Sequence, residues 1–245
     1  MRVQLLDGGW FTAPLALFHQ GAPEGERFRF PVPAYLIEVG TERILVDTGL
    51  NPAAVADPGE FYEQPQVMGL FGFEQERSVA AQVDPGSLTM VVLTHLHWDH
   101  VGGLPLIPPS VPVVVQRREW EAGHDPEAIA RNFYMPRDYE GERELVLVEG
   151  DHDLLGDGSV ELLSTPGHTP GHQSVRAGDL VIGADVVLFA ASLDDHRFPA
   201  FAADHEAQRR SAERLRALRD QGLAVMPGHD PDVIHPGPLP VSVDG

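Results

Sequence analysis

The sequence predicts a layered α/β or α+β domain in which helices cover the outer faces of sheets. Short runs rich in Val, Leu and Ile recur along the chain, as is typical of strands that are covered on both faces. Helical patterns come between these runs, and many of the connections are short. The chain has 245 residues, of which 42% are hydrophobic, so we expect one domain, residues 1–245, around one large core.

Strands are predicted where apolar and β-branched residues cluster between turn-forming residues. These runs are Val3–Leu6, Ala34–Val39, Arg43–Asp47, Thr89–Thr94, Pro112–Gln116, Leu145–Glu149, Ser159–Leu163, Leu180–Ala184 and Leu223–Met226. The strongest helical pattern runs from about His205 to Gln221, with Asp204 as its N-cap and Gly222 placed to end it. Weaker helical patterns cover Glu74–Val83 and Arg117–His124.

Composition excludes several classes of function. The chain has 37 acidic and 17 basic residues, all of the latter arginine, and a formal net charge of -20. Such a charge argues against nucleic acid and anionic membranes as partners. Cysteine is absent, which excludes disulfides, thiolate ligands and a cysteine nucleophile. No stretch approaches the ~20 apolar residues of a membrane span, so we expect a cytoplasmic protein.

One short run carries several potential metal ligands. Directly after the strand that ends near Leu93 come His95, His97, Asp99 and His100. Two histidines separated by one residue can direct neutral imidazoles at one ion, while the adjacent aspartate and histidine can turn toward a second. The run therefore offers two half-sites from one loop, at the carboxyl end of a strand, where α/β proteins tend to bind ligands.

Three further candidates follow predicted strands later in the chain. His168 comes after the strand ending at Leu163, Asp185 after Ala184, and His229 after Met226. His168 can complete a first ion with His95 and His97, and His229 can complete a second with Asp99 and His100. Because a carboxylate has two oxygens, Asp185 can bridge both ions, so each has four protein ligands and room for water.

This ligand set predicts a hydrolase that uses two divalent ions. A water between two dications should have its pKa lowered toward ~7, which makes hydroxide available at neutral pH without a protein nucleophile. Asp99, His100 and Asp185 are the predicted catalytic residues. Nitrogen and carboxylate ligands suit zinc best, although iron, manganese and cobalt are acceptable.

These motifs resemble the metallo-β-lactamase superfamily, whose signature is HxHxDH followed by a distant His, a bridging Asp and a last His. The resemblance implies a four-layer αββα sandwich with the dinuclear site at one edge of its two sheets. It also implies that Asp47, in Ile44–Gly49, supports the metal loop from behind the ligands. His172 is predicted to act as a similar supporting partner in the His168 loop.

Within the superfamily the sequence is most similar to N-acyl-homoserine lactonases over nearly its whole length. The matching stretches are Pro33–Glu38, Ile44–Gly49, Thr94–Gly103, Val113–Arg117 followed by Glu119, Glu149–Asp151, Thr165–Ser174 and Gly228–Asp230. The resemblance implies that a bridging hydroxide opens the lactone and that a tyrosine three residues after the bridging aspartate assists the oxyanion. Here that position is Leu188. Either Tyr134 or His196 substitutes for the phenol, or the ring opened is a different one.

The segment from Phe61 to Phe73 is apolar, aromatic and punctuated by glycine. By analogy with the lactonases it could cover the metal site and hold an acyl chain, so Met68, Phe71 and Phe73 are candidate pocket residues, with Tyr134, Leu188 and His196. The alternative is a loop that packs on the core or on a dimer partner. Trp98 is expected to pack under the metal loop, and surface positions are expected for the remaining histidines, His19, His124, His152, His205 and His235.

Other functions remain open at this level. The same metals could cleave another ester, such as an organophosphate or a glutathione thioester, although the basic carboxyl-terminal portion typical of glyoxalase II enzymes is absent. The missing cysteine disfavours a zinc β-lactamase, and the acidic charge disfavours a nuclease. A metal-binding protein without turnover, such as a sensor or a flavodiiron-like partner, is a different class. The expected substrate is a small ester or lactone, and a homodimer is the commonest oligomer for such a chain.

Overall fold

A computed structural model describes residues 1–242 of the chain. Within these residues the strands form one sheet of eight and one of five. The strands are β1 (Arg2–Pro14), β2 (Arg27–Val39), β3 (Glu42–Val46), β4 (Gly72–Glu74), β5 (Met90–Val92), β6 (Val113–Gln116), β7 (Leu145–Val148), β8 (His152–Asp153), β9 (Val160–Ser164), β10 (Gln173–Ala177), β11 (Leu180–Ala184), β12 (Ala224–Pro227) and β13 (Gly237–Leu239).

The helices lie in the connections between these strands. They are α1 (Leu15–Phe18), α2 (Pro58–Phe61), α3 (Pro65–Met68), α4 (Trp98–Val101), α5 (Arg117–Ala122), α6 (Pro126–Asn132), α7 (Ser192–Asp195) and α8 (His205–Asp220), and five short 3₁₀ turns accompany them within residues 1–242. No helix among these residues is both long and apolar enough to cross a membrane.

The first sheet has the order β13-β1-β2-β3-β5-β6-β7, with β4 also paired to β1, and the second has the order β12-β11-β10-β9-β8. Pairing is antiparallel from β1 to β3 and parallel from β3 to β7. Between the sheets lies a core of β-branched and aliphatic side chains, such as Ile44 and Val92 from the first sheet and Leu162, Val175 and Ile182 from the second. Alternate residues of each strand point into this layer because side chains alternate along a strand.

Helices and loops cover the outer face of each sheet. The other face of β3, β5 and β6 packs against the segment after the metal motif and against Tyr134 and Tyr139. On the second sheet, Ala212 and Leu215 of α8 pack against Val181. The layers therefore run helix, sheet, sheet, helix, and the expected four-layer sandwich is confirmed.

The predicted strands all occur, with shifted ends. β1 and β2 are much longer than the predicted Val3–Leu6 and Ala34–Val39, because their outer halves pair with each other beyond a bulge between Asp7 and Trp10. The helix predicted from His205 is α8, with the Asp204 side chain accepting from Ala207 N at 2.9 Å. Gly222 follows it at a φ of 101°.

The predicted helix over Glu74–Val83 is wrong. This stretch begins as the end of β4 and then forms a single 3₁₀ turn, Val79–Ala81, capped by Ser78. Its polar side chains bond to other parts of the chain instead of lying free on a helix surface, since the Gln75 side chain donates to the backbone of Gly8 and Leu50. These tertiary bonds hold Gln75 against Gly8 and Leu50 directly after β4, so the segment does not begin a continuous helix at Glu74.

Candidate metal centre and substrate cavity

Strand ends place the candidate ligands at one edge of the two sheets. β5 of the first sheet leads into the loop and short helix that carry His95 to His100, while β9, β11 and β12 of the second sheet precede His168, Asp185 and His229. Hydrogen bonding across the edge joins the two sheets here, because Gln173 N donates to Thr94 O at 2.9 Å. Seven side chains from four loops are thereby brought into one buried cluster.

The first group consists of His95, His97, His168 and Asp185. His97 Nδ1 lies 3.0 Å from both His95 Nε2 and His168 Nε2. Asp185 Oδ2 lies 3.3 Å from His168 Nε2 and 4.0 Å from His95 Nε2. Three ring nitrogens and one carboxylate oxygen thus lie around a single position that could hold an ion.

The second group consists of Asp99, His100 and His229, together with the other oxygen of Asp185. Asp185 Oδ1 lies 3.3 Å from both His100 Nε2 and His229 Nε2. Asp99 Oδ2 lies 3.4 Å from His229 Nε2 and 3.7 Å from His100 Nε2. Asp185 therefore belongs to both groups, one oxygen to each.

Both groups fit a tetrahedral divalent ion. Metal–nitrogen and metal–oxygen distances of about 2.0–2.1 Å place tetrahedral ligands about 3.3–3.4 Å apart, which is close to the separations above. His100 Nε2, His229 Nε2 and Asp185 Oδ1 are buried without a hydrogen-bond partner. Buried polar atoms normally have partners, so these three atoms fit a second group that would bind a cation.

In four of the histidines, a hydrogen bond to the ring nitrogen that faces away from the cluster determines which nitrogen carries no proton. His97 Nε2 donates to Asn132 O at 2.8 Å, and His229 Nδ1 donates to Pro31 O at 2.7 Å. His100 Nδ1 donates to Asp47 Oδ2 at 2.8 Å. His95 Nδ1 donates to the Thr94 hydroxyl at 3.0 Å, since that hydroxyl itself donates to Asp47. In each ring the remaining nitrogen is unprotonated and faces the group, as metal binding requires.

Asp47 and His172 lie behind the ligands, where the sequence predicts them. Asp47 also accepts from Thr94 N at 2.8 Å, so one carboxylate ties the ends of β3 and β5 together. His172 Nε2 accepts from the backbone N–H of Asp185 at 3.2 Å, and His172 Nδ1 lies 3.0 Å from the Thr165 hydroxyl. Both ring nitrogens of His172 are thus engaged, and one of them holds the backbone of Asp185.

The protein suppresses the charge of the first group and favours charge in the second. Burial and the neighbouring histidines hold the pKa of His95 well below its usual range, and burial likewise lowers the pKa of His97 and His168. Burial also opposes protonation of His100 and His229, but Asp185 and Asp99 raise the pKa of both above the usual value. The carboxylates of the second group therefore favour a positive charge beside its two ring nitrogens, which a bound divalent ion would supply.

Asp185 sits in a tight and strained turn. Ala184, directly before it, has a φ of 45°, a left-handed conformation that costs an L-residue roughly 1–2 kcal/mol. Gly228 approaches so closely that a Cβ there would lie 2.4 Å from Asp185 Oδ1. The Pro-Gly-His run thus needs glycine at this position in order to bring His229 beside Asp185.

A cavity of about 260 Å³ opens onto both groups. His97, Asp99 and Asp185 lie at its inner end, and Gln66 contributes an uncharged polar group to its wall. The other lining residues are Leu17, Phe18, Val67, Leu70, Phe71, Trp98, Phe133, Ala200 and Phe201, all of them apolar or aromatic. Such a site can bury an apolar chain beside a polar reacting group.

Of the six pocket candidates from the sequence, the structure places only Phe71 on this wall. Met68 and Leu188 are buried in the aromatic cluster below it. Phe73 is also buried and stacks on Trp98, with ring centroids 4.7 Å apart. These three side chains fill space beneath the cavity, so their assignment to its lining is corrected.

Neither predicted substitute for the missing phenol faces the cavity. The Tyr134 hydroxyl is buried and donates to Glu119 at 2.8 Å, so it is already engaged. His196 ends α7 in a left-handed conformation and stacks on Phe198, with ring centroids 5.9 Å apart. Both assignments are therefore corrected.

The sequence analysis did not predict the apolar cavity-lining residues that lie outside the Phe61–Phe73 segment. Leu17 and Phe18 lie just after β1, and Phe133, Ala200 and Phe201 lie in loops with no periodic pattern. Glu119 enters the sequence analysis only through the resemblance to the lactonases, yet it is fully buried between the ligand loops. A glutamate in the first turn of a short helix gives no sequence signal of such burial.

The other histidines lie away from the cluster. His124, His152, His205 and His235 are exposed, as expected, whereas His19 is half-buried with its ring edge against Phe189. Trp98 is buried beneath the metal loop, as expected, and it also lines the cavity.

The chain is similar in sequence to metal-dependent hydrolases of one superfamily. The family model of the metallo-beta-lactamase superfamily matches residues 27–229. The N-acyl homoserine lactonase AttM of Azorhizobium caulinodans is 30% identical, over 95% of this chain and 94% of its own. The N-acyl homoserine lactonase AiiA of Bacillus thuringiensis subsp. kurstaki is 31% identical over 84% of each chain.

A solved structure gives the same relationship in three dimensions. An N-acyl homoserine lactone hydrolase, with the product N-hexanoyl-L-homoserine at its catalytic metal centre, matches with a TM-score of 0.82 and 26% identity. The match covers 94% of both chains. These relatives and the two ligand groups indicate a metal-dependent hydrolase that uses two divalent ions.

Proposed function

The chain belongs to the metallo-beta-lactamase superfamily, and we propose that it opens the ring of N-acyl-homoserine lactones. One observation carries the proposal. The cavity is apolar along its walls and ends on His97, Asp99 and Asp185, which belong to both ligand groups. A substrate with an acyl chain at one end and a lactone at the other fits that division.

We propose that His95, His97, His168 and Asp185 hold one ion, and that Asp99, His100, His229 and Asp185 hold the other. Their nitrogen and carboxylate donors, with tetrahedral spacing, favour zinc. When bound, the two ions supply Lewis acidity, which activates a water as a nucleophile near neutral pH and polarises the ester carbonyl.

The protein's own side chains bind the substrate and transfer the proton. Phe71, Phe133 and Phe201 bind the acyl chain and keep bulk water from it. Asp99 lies at the inner end of the cavity with only Oδ2 directed at His229 and His100. Its other oxygen is free to take a proton from the attacking water and pass it to the leaving alcohol, as the ring C–O bond breaks.

The experiment pairs elemental analysis of the purified protein with a pH-indicator assay. N-hexanoyl- and N-decanoyl-homoserine lactone are compared with simple γ- and δ-lactones, an aryl phosphotriester and an acyl-glutathione thioester. About two ions per chain with fastest turnover of the acyl-homoserine lactones supports the proposal. If the protein holds two ions but hydrolyses another ester faster, that ester is the better substrate assignment. A protein that binds no ion overturns the proposed function.

Site variants separate metal-dependent turnover from a contaminating activity. Asp185→Asn removes the shared negative charge from both groups and should lower both ion content and kcat/KM. His235→Ala changes an exposed histidine and should change neither. Equal activity in the two variants would contradict the assignment of the site.

A further inference from the structure

Glu119 is a carboxylate buried at the junction of the ligand loops. It lies in the first turn of α5 and is fully buried. Within residues 1–242 no arginine pairs with it, so its charge is compensated by hydrogen bonds alone. A buried carboxylate without a cationic partner costs stability unless hydrogen-bond donors surround it.

Three donors from three different segments meet on this carboxylate. Oε1 accepts from Leu96 N at 3.0 Å and from the Tyr134 hydroxyl at 2.8 Å. Oε2 accepts from Gly171 N at 2.8 Å. Leu96 stands between His95 and His97, and Gly171 stands three residues after His168. One side chain therefore joins the two loops that carry the three histidines of the first group.

The third donor extends this link to the far side of His97. The Tyr134 ring packs against the His97 ring, with centroids 5.7 Å apart. Two residues before Tyr134, the Asn132 carbonyl accepts from His97 Nε2 at 2.8 Å. Glu119 thus also anchors the segment that sets the tautomer and orientation of His97.

Close backbone approach reinforces the contact. A Cβ on Gly171 would lie 2.2 Å from Glu119 N, so the His168 loop touches the helix at a position that only glycine permits. Such contact fixes where the loop lies relative to α5. Supports of the second group come from elsewhere, since His100 bonds to Asp47 and His229 bonds to Pro31 O.

We infer that Glu119 is a positioning residue that holds His95, His97 and His168 together for one of the two ions and leaves the other ion site unaffected. The inference rests on the proposed metal site and adds to it a support that contacts only the loops of the first group's histidines. Residues that orient metal ligands typically contribute a factor of about 10–100 in metal affinity. Loss of Glu119 should therefore weaken one binding step selectively.

Glu119→Gln is the informative substitution because it preserves size. A carboxylate can accept on both oxygens, whereas an amide offers one acceptor and one donor group. Whichever way the amide turns, its NH₂ faces an N–H donor, of either Gly171 or Leu96, so one link is lost. Glu121→Gln makes the same chemical change on the exposed side of α5 and serves as the matched control.

The experiment measures ion binding by the metal-free full chain. Wild type, Glu119→Gln and Glu121→Gln are stripped with a chelator and checked by circular dichroism. They are then titrated with Zn²⁺ against a chromophoric competitor, and with Co²⁺ while visible absorption is followed. We expect two binding steps in wild type and Glu121→Gln. In Glu119→Gln one step should weaken by about 10–100-fold with an altered Co²⁺ spectrum, while the other step stays within about twofold of wild type.

Several outcomes overturn the inference. A folded Glu119→Gln protein with both steps unchanged removes the positioning role, and equal weakening of both steps reduces it to general stability. If Glu119→Gln does not fold, Tyr134→Phe, which deletes one donor and leaves the carboxylate, decides the matter. It should weaken the same single step to a smaller extent, and unchanged binding overturns the inference. A wild type that takes up no ion overturns the proposed function as well, which distinguishes that failure from failure of the Glu119 inference alone.

Discussion

Asp47 Oδ2 and His100 Nδ1 lie 2.8 Å apart, and this contact couples the end of β3 to the metal loop after β5. Asp47 reaches that position with a φ of 58°, a left-handed conformation that aspartate and asparagine tolerate better than most residues. Its two oxygens also accept from the backbone and hydroxyl of Thr94. A single carboxylate therefore orients His100 directly and His95 through Thr94.

Asp47→Asn should reduce ion content and activity while the fold is preserved. Asparagine keeps the backbone conformation, but with its oxygen on Thr94 N its NH₂ meets His100 Nδ1. His100 then favours the tautomer protonated on Nε2, which cannot bind a metal. We expect kcat/KM for N-hexanoyl-homoserine lactone to fall by about 10–100-fold. Asp220→Asn, on the exposed end of α8, is the control, and wild-type activity in Asp47→Asn would refute the tautomer argument.

Phe71→Ala should change substrate binding, whereas Phe73→Ala should change stability, although the two residues are only two positions apart. Phe71 lines the cavity, so its loss removes about 1–2 kcal/mol of apolar contact with a long acyl chain. KM for the decanoyl substrate should rise by roughly 5–30-fold, with little change for a butanoyl substrate. Phe73 packs beneath Trp98, and its truncation should lower stability by about 3–5 kcal/mol without chain-length selectivity.

Steady-state kinetics across acyl lengths, together with urea unfolding of both variants, tests this contrast. Equal loss with short and long substrates in Phe71→Ala would place its ring outside the acyl site. Chain-length selectivity in Phe73→Ala would place that ring in the cavity.

Asp138 should make stability depend on pH. It is buried and accepts from Asn51 Nδ2 at 2.9 Å and from the Tyr62 hydroxyl at 2.7 Å. Burial raises its pKa from 3.8 to about 7, against the opposing effect of these two donors. The folded state thus favours the protonated form. This contribution is complete below pH ~4 and is lost as pH rises through 7, by about 4 kcal/mol at most.

Asp138→Asn removes this titration. Relative to wild type, the free energy of unfolding of the variant should increase between pH 4.5 and pH 8, as measured by urea unfolding at a series of pH values. Asp220→Asn should follow the wild-type pH profile throughout. Parallel curves for Asp138→Asn and wild type would mean that the carboxyl titrates in its ordinary range.

Leu188→Tyr should not restore a catalytic phenol. Leu188 is buried in the aromatic cluster and lies off the cavity wall, so a larger ring overpacks the cluster. We expect a loss of stability of about 1–3 kcal/mol and no gain in kcat. Leu188→Met conserves volume and should stay within about 1.5 kcal/mol of wild type. A rise in kcat with unchanged melting temperature would show that the side chain can reach the substrate.

Local patterns predicted the metal cluster because each ligand directly follows a strand. Strands such as β5, β11 and β12 have apolar residues on both faces, so their position and direction are visible in the sequence. His95, Asp185 and His229 follow at their ends, and ligand sites favour the edge at which strands end in α/β proteins. This gathering of ligands could therefore be expected from the residues themselves, whereas the four-layer order was implied by the resemblance to the metallo-β-lactamase superfamily.

Tertiary structure alone decided what surrounds the ligands. The cavity wall combines Leu17, Phe71, Phe133 and Phe201, residues far apart in sequence that meet only after both sheets have packed. Glu119 lies on a short helix of mixed polarity, and its burial depends on loops from both halves of the chain. Sequence patterns report the period and polarity of one segment at a time. Which segments enclose a cavity, and which polar group compensates which donor, depends on long-range packing that no local period encodes.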